Sequence, residues 1–175
     1  MGEQISVGQF EATFRNLKTP IGLVIDEARL TGVNTVVQMD PLRIEMLEPG
    51  TIEAKIGEQA LAVFLEQKAP GGMRGFEIAL KAGKVYVQAS ITMIIPMKVS
   101  AVCSLRIQDE RQIFVDLGSV DVMGVGATGL VEGHIARINP VLDVADLPIN
   151  VRLKTIEVVD GKVVVKGEAK PNQSA

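Results

Sequence analysis

Little in this chain could serve as chemical machinery. Among 175 residues there is one Cys, one His, one Tyr and no Trp, and aromatics make up only 3%. A single Cys excludes an internal disulfide, and one Cys with one His falls short of the about four ligands a structural zinc site needs. Every His-dependent mechanism would have to run through His134, whose spacing puts it on the apolar side of a helix, as a core histidine. Cys103 falls on the apolar side of a strand, where a thiol behaves as a small hydrophobe. The carboxylates come singly or in turns (Asp26-Glu27, Asp109-Glu110). Asp116 and Asp121 lie five apart, on opposite faces of an unbroken strand, and so do not make an acid/base pair. No catalysis and no cofactor are expected.

Long apolar runs are missing too. Charges or Gly/Pro interrupt every stretch before the ~20 residues of a spanning helix. Residues 1–18 carry no basic leader followed by an apolar block, which points to the cytoplasm or the cytoplasmic face of a membrane. A basic excess is also lacking: 18 Lys and Arg stand against 21 Asp and Glu, a net charge of −3, which argues against a nucleic-acid partner. The charge is uneven, however. Residues 1–53 carry four basic and eight acidic side chains, and 55–111 carry eight basic and five acidic. The mid-chain excess suits an anionic headgroup or lipid surface.

What the chain does have is aliphatic strand. Hydrophobic residues make up 47% and mean hydropathy is +0.27, high for a chain of this size without a spanning segment. The most informative stretch is 96–108, where Met97, Val99, Ala101, Cys103, Leu105 and Ile107 alternate with Lys98, Ser100, Ser104, Arg106 and Gln108. That period of two runs well past the usual about five or six residues of a strand. Methionine recurs in similar segments (Met39, Met46, Met93, Met97, Met123), and its flexible thioether suits adaptable apolar surfaces.

The same alternation marks 31–39, 42–47, 52–56, 76–81, 84–93 and 113–117 as strands, with a C-terminal hairpin at 149–159 and 162–167 turning on Asp160-Gly161. The period changes twice. Ala60, Leu61, Phe64 and Leu65 predict a helix over 57–68, and Leu130, Val131, His134, Ile135 and Ile138 a second over 127–138. Between the first helix and the next strand, 69–75 reads as a loop that offers Arg74 to a headgroup. Short turns between consecutive strands imply antiparallel pairing, hence an α+β fold: one domain over 1–170 and a disordered tail over 171–175.

Two short motifs carry little. Gly124-Val125-Gly126-Ala127-Thr128-Gly129 has the dinucleotide spacing, but Asn139-Pro140 and a loop follow where a second parallel strand and its acid should stand. It reads as a tight strand-to-helix corner. Met1-Gly2-Glu3-Gln4-Ile5-Ser6 fits the myristoylation pattern, one that short sequences meet often by chance.

The C-terminal stretch is more specific. Asn139-Pro140-Val141-Leu142-Asp143, then Asp146-Leu147-Pro148-Ile149, then the hairpin 151–167 with its final Gly167 resembles the close of the LmeA-like phospholipid-binding family, of the tubular lipid-binding, BPI-like superfamily. The order of elements across about 51–168 is similar as well. Ile149-Asn150 stands where that family has an aromatic-Gly pair, and the export signal common in it is missing. The resemblance implies a long curved antiparallel sheet wrapped around two helices, half of a tubular lipid-binding fold, with an acyl-chain cavity and no catalytic residues.

The expected function is non-enzymatic binding, with transfer as an option, of phospholipid or another acyl-chain lipid between sheet and helices. Two helices of about 18 Å cannot cover strands approaching ~40 Å, which leaves apolar strand face for a ligand. The expected liners are Leu61, Phe64, Leu65, Met93, Met97, Val99, Leu105, Val115, Leu117, Leu130, Ile135 and Ile138, with Arg74 at the headgroup and no metal. Expected partners are a phospholipid or fatty-acyl ligand and peripheral membrane contact; a homo-oligomer is allowed but not required. The alternative is a structural or protein-interaction module of the same fold with a filled core.

Overall fold

The computed structural model describes residues 4–39, 42–69, 72–92, 94–122, 127–147 and 149–170. The strands are β1 (Gln4–Lys18), β2 (Val24–Met39), β3 (Leu42–Met46), β4 (Gly50–Gly57), β5 (Met73–Lys81), β6 (Lys84–Thr92), β7 (Pro96–Gln108), β8 (Gln112–Val122), β9 (Leu142–Asp143), β10 (Val151–Val159) and β11 (Lys162–Ala169). Helix α1 (Glu58–Lys68) follows β4 and α2 (Ala127–Ile138) precedes β9, with a 3-10 turn at Val144–Asp146. All pairings are antiparallel, as the short connections require. The α+β reading holds. The expected single sheet does not, because the strands divide between two. Sheet A runs β1-β2-β4-β11-β10, with β3 beside β2, and sheet B runs β5-β6-β7-β8-β9. The split falls at α1, which leaves β4 in one sheet and hands the chain to β5 in the other.

The alternation legible in the sequence sets the two faces of sheet B. Val85, Ala89, Ile91, Val99, Ala101 and Cys103 are buried, while Lys84, Gln88, Lys98 and Arg106 are exposed. Two bulges adjust this register. In β8 an extra residue at Gly118 shifts pairing between Val102 and Cys103, so Leu117 and Val120 both face inward. The bulge also brings Asp116 and Asp121 onto the same outer face, paired across from Ser104 and Ser100. The opposite-face expectation assumed an unbroken strand and is corrected. Their partners still lie four positions apart on β7, too far for an acid/base pair, and Asp116 is held by Arg106 at 2.7 Å. In β5 a second bulge spans Gly75 and Phe76, with Gly75 at φ +68°, a conformation glycine adopts without strain.

Sheet edges leave N–H donors without ladder partners, and α1 supplies acceptors to that of β5. Glu66 accepts from the Gly75 and Phe76 amides at 3.2 and 3.1 Å, and Glu58 accepts from the Leu80 amide at 2.8 Å. The inner edge of sheet A is closed by turns of sheet B: the Leu153 amide donates to the Glu110 carbonyl at 2.7 Å, and the Gly83 amide to the Val158 carbonyl at 3.2 Å. The outer edge, β1, has no strand beside it among the described residues. The outer face of sheet A carries a ladder of alternating charges, from Arg15 through Glu27, Lys55 and Glu53 to Lys166. Such exposed pairs are worth about 0–1 kcal/mol each, so they keep this face in water rather than hold the fold. What holds it is the aliphatic interior, where Leu23, Ile56, Phe64, Leu80, Val99, Leu153, Val163 and Val165 join in one cluster.

Candidate ligand cavities

Two apolar hollows lie between the sheets. The first, of about 100 Å³, is enclosed by the inner face of sheet B, by α1 (Leu61, Phe64, Leu65) and by α2 (Val131, His134, Ile135, Ile138). Both helices fold onto this sheet because their apolar positions repeat on one side. Phe64 on α1 is buried, as are Val131, His134 and Ile138 on α2. The second, of about 370 Å³, lies under sheet A. Its walls are Ile25, Ala28 and Leu30 of β2, Ile52, Ala54 and Ile56 of β4, Val165 of β11, and Val151 and Leu153 of β10. Segment 142–149 forms the opposite side through Val144, Leu147 and Ile149, and Phe14, Leu17, Lys18 and Asp146 line it as well. Ile56, Leu142 and Val165 belong to both linings and form the partition between the hollows.

The segment that floors the larger hollow is pinned by charge. Asp143 accepts two bonds from the Arg111 guanidinium, at 2.7 and 2.9 Å, and one from the Gln112 amide at 2.9 Å. It also accepts from the Ala145 amide at 2.9 Å, starting the 3-10 turn. The Arg111 guanidinium pulls its pKa down to about 2, so it is an anion at any ordinary pH. At the other end Asn139 both donates to the Val115 carbonyl and accepts from its amide, each at 2.8 Å, tying the end of α2 to β8.

His134 is the polar side chain of the smaller hollow. It is only 5% exposed, its ring stands 6.0 Å from that of Phe76, and neither ring nitrogen has a hydrogen-bond partner. Burial, then the nearby Arg137 charge, pushes its pKa down, so the ring is neutral. It is a core histidine as expected, but an unsatisfied one, and an unmade bond on a buried group costs about 1–3 kcal/mol. Cys103 is likewise buried, with its thiol pushed up to about 11 by desolvation, which leaves it unreactive near neutrality.

Of the expected liners, Leu61, Phe64, Leu65, Val99, Leu105, Val115, Ile135 and Ile138 meet around the smaller hollow. Leu117 packs against the core cluster without reaching the wall, Met97 is half-buried at the end of β7, and Leu130 is 41% exposed on the free side of α2. Met93 lies outside the described residues, as do Met123, Gly124–Gly126 and the tail 171–175. Arg74 is not in a loop: it belongs to β5 and stands on the outer face of sheet B opposite Ser90, away from both hollows. The described methionines do not gather at one surface. Met73 lines the smaller hollow, Met46 packs in a separate small cluster, and Met39 is exposed.

The larger hollow was missed. Part of its signal was present in Ile52, Ala54 and Ile56 of β4, which alternate as β7 does over a shorter run. What the sequence does not carry is the turn of the chain at Asn16, at φ 54°, which brings Phe14 and Leu17 to one hollow although they are three apart.

Among the described residues no three His, Cys, Asp or Glu side chains gather as a metal site, and no helix is long and apolar enough to cross a membrane. No protein-family model, no curated protein and no solved structure matches this chain.

Proposed function

We propose that the protein binds the acyl chain of a phospholipid or another single-headed lipid, without catalysis, in the hollow beneath sheet A. One observation carries this reading. A space of about 370 Å³ walled by aliphatic side chains, with Lys18 and Asp146 as its charged members, falls in the range of about 300–1,000 Å³ typical of ligand sites. Each methylene withdrawn from water there would contribute about 0.8 kcal/mol. The smaller hollow is under the ~150 Å³ that admits a benzene ring, so it takes no more than the end of a chain.

The resemblance to the LmeA-like family supports the same reading, with the two sheets as half of a tubular lipid-binding unit working at a membrane face. A rival reading, a protein-interaction module, draws on the β1 edge, which pairs with β2 on one side and has no strand on the other among the described residues.

Mass spectrometry of the purified protein, native and then after organic extraction, separates the two. A stoichiometric lipid, lost when Leu30 is replaced by Arg, supports the carrier. A clean protein mass with no uptake from added phosphatidylcholine vesicles refutes it and leaves the edge strand as the feature to pursue.

A further inference from the structure

Apolar residues in water are ordinary when scattered singly and informative when contiguous and fully bare. In the turn joining β6 to β7, Ile94 is 97% and Ile95 70% exposed, at the extreme end of sheet B. Nothing in the packing asks for isoleucine there. The strands on either side need only a turn, which Gly, Asn or Asp would make at less cost.

The charges behind this tip are ordered by register. Arg74 of β5 pairs with Ser90 of β6, which pairs with Lys98 of β7, so the two cations flank Ser90 in one row on the outer face. That row is the second below the tip, where Thr92 pairs with Pro96. Lys68 ends α1 close by, because Glu66 is bonded to the Gly75 and Phe76 amides at the start of β5. None of these three cations has a carboxylate within salt-bridge distance among the described residues. Of the acids near this collar, Glu66 is engaged by the Gly75 and Phe76 amides, Glu77 and Asp121 stand about 7 Å further from the tip, across from Gln88 and Ser100, and Asp116 lies further still, held by Arg106.

We propose that the β6–β7 turn is a membrane-docking tip: Ile94 and Ile95 enter the interface of an anionic bilayer while Arg74, Lys98 and Lys68 meet its phosphates. The arrangement suits a bilayer rather than a protein groove. Two side chains at a convex tip bury best in a surface that yields around them, and a cationic collar behind an apolar point matches headgroups over hydrocarbon. Leu47, the next most exposed large apolar side chain among the described residues at 62%, sits next to Glu48 and close to Glu45, the wrong sign for such a surface. Docking at the tip is independent of the hollow under sheet A. A protein with a plugged hollow would dock equally well.

Co-sedimentation with vesicles tests this, using phosphatidylcholine alone and an equal mixture of phosphatidylcholine and phosphatidylglycerol. The wild type is expected to bind the mixed vesicles, less so as salt rises, with the neutral vesicles bound at least about tenfold more weakly. Ile94→Asp with Ile95→Asp, at positions too exposed to disturb folding, should cost more than about tenfold on mixed vesicles. Arg74→Glu with Lys98→Glu should abolish the preference for the anionic surface, at about fivefold or more per residue. Leu47→Asp should change nothing. Binding unaffected by the Ile pair, or no binding of the wild type to either vesicle, overturns the proposal. Failure of lipid retention with intact docking would count against the hollow alone.

Discussion

The two hollows have walls of the same composition and opposite fates. Beneath sheet B, alternating aliphatic residues meet side chains brought by α1 and α2, and the remaining space is about 100 Å³. Beneath sheet A, residues of the same kind meet Leu142, Val144, Leu147 and Ile149 and the start of the β1–β2 connection but no α-helix, and about 370 Å³ stays open. Alternation on a strand decides which face turns inward. Whether that face ends up against protein or against space depends on what the rest of the chain lays over it, a non-local matter. Both helices pack chiefly on sheet B: α1 bridges its edge strand β5 and α2 lies on β8.

This contrast can be broken most sharply by truncation. Phe64→Ala or Leu80→Ala, in the filled half, should cost about 3–5 kcal/mol, since both are buried and little around them can collapse. Phe14→Ala or Leu17→Ala, on the rim of the open half, should cost under about 1 kcal/mol. Urea unfolding measures both, and equal losses would mean that the hollow under sheet A closes in solution.

Filling is the converse. Ala101→Phe should overpack the smaller hollow at a cost of about 1–3 kcal/mol, while Ala54→Phe should find room in the larger one and lose less than about 1 kcal/mol. The second variant should also reduce lipid uptake. Full uptake by a stable Ala54→Phe protein would move the bound chain out of that hollow.

The smallest effect concerns the histidine that only the filled half contains. Its folded pKa lies below its ordinary 6.5, so acidification protonates the unfolded chain first. The stability tied to a neutral ring is whole above about pH 6.5 and declines as pH falls from there towards the folded value. His134→Phe should flatten that part of the stability–pH curve. An unchanged slope would place the dependence elsewhere.

Strand 96–108, the helix 127–138 and the C-terminal hairpin were legible because each rests on local signals: a sustained period, a change of period, and Asp160-Gly161, where Gly161 takes φ +79°. The division into two sheets was not. It depends on β11 choosing β4 rather than a strand of the other sheet, a choice made over more than a hundred residues of sequence. The bulge at Gly118 escaped for a different reason. One extra residue leaves composition and periodicity almost untouched while exchanging the faces of everything beyond it. The larger hollow escaped because its walls come from distant stretches of the chain, β2, β4, β10 and β11 with the segment that follows β9, and no local period says that they meet.

The partition of Ile56, Leu142 and Val165 has a consequence of its own. Three side chains, none from the same element as another, fix where one chamber stops and the next begins. A wall so thin is a ruler. Shaving one residue would lengthen the space a guest can enter, and enlarging one would shorten it, with neither sheet rebuilt. Preference for guest length would therefore be the trait most easily altered in this protein, by single substitutions far from any surface that another molecule reads.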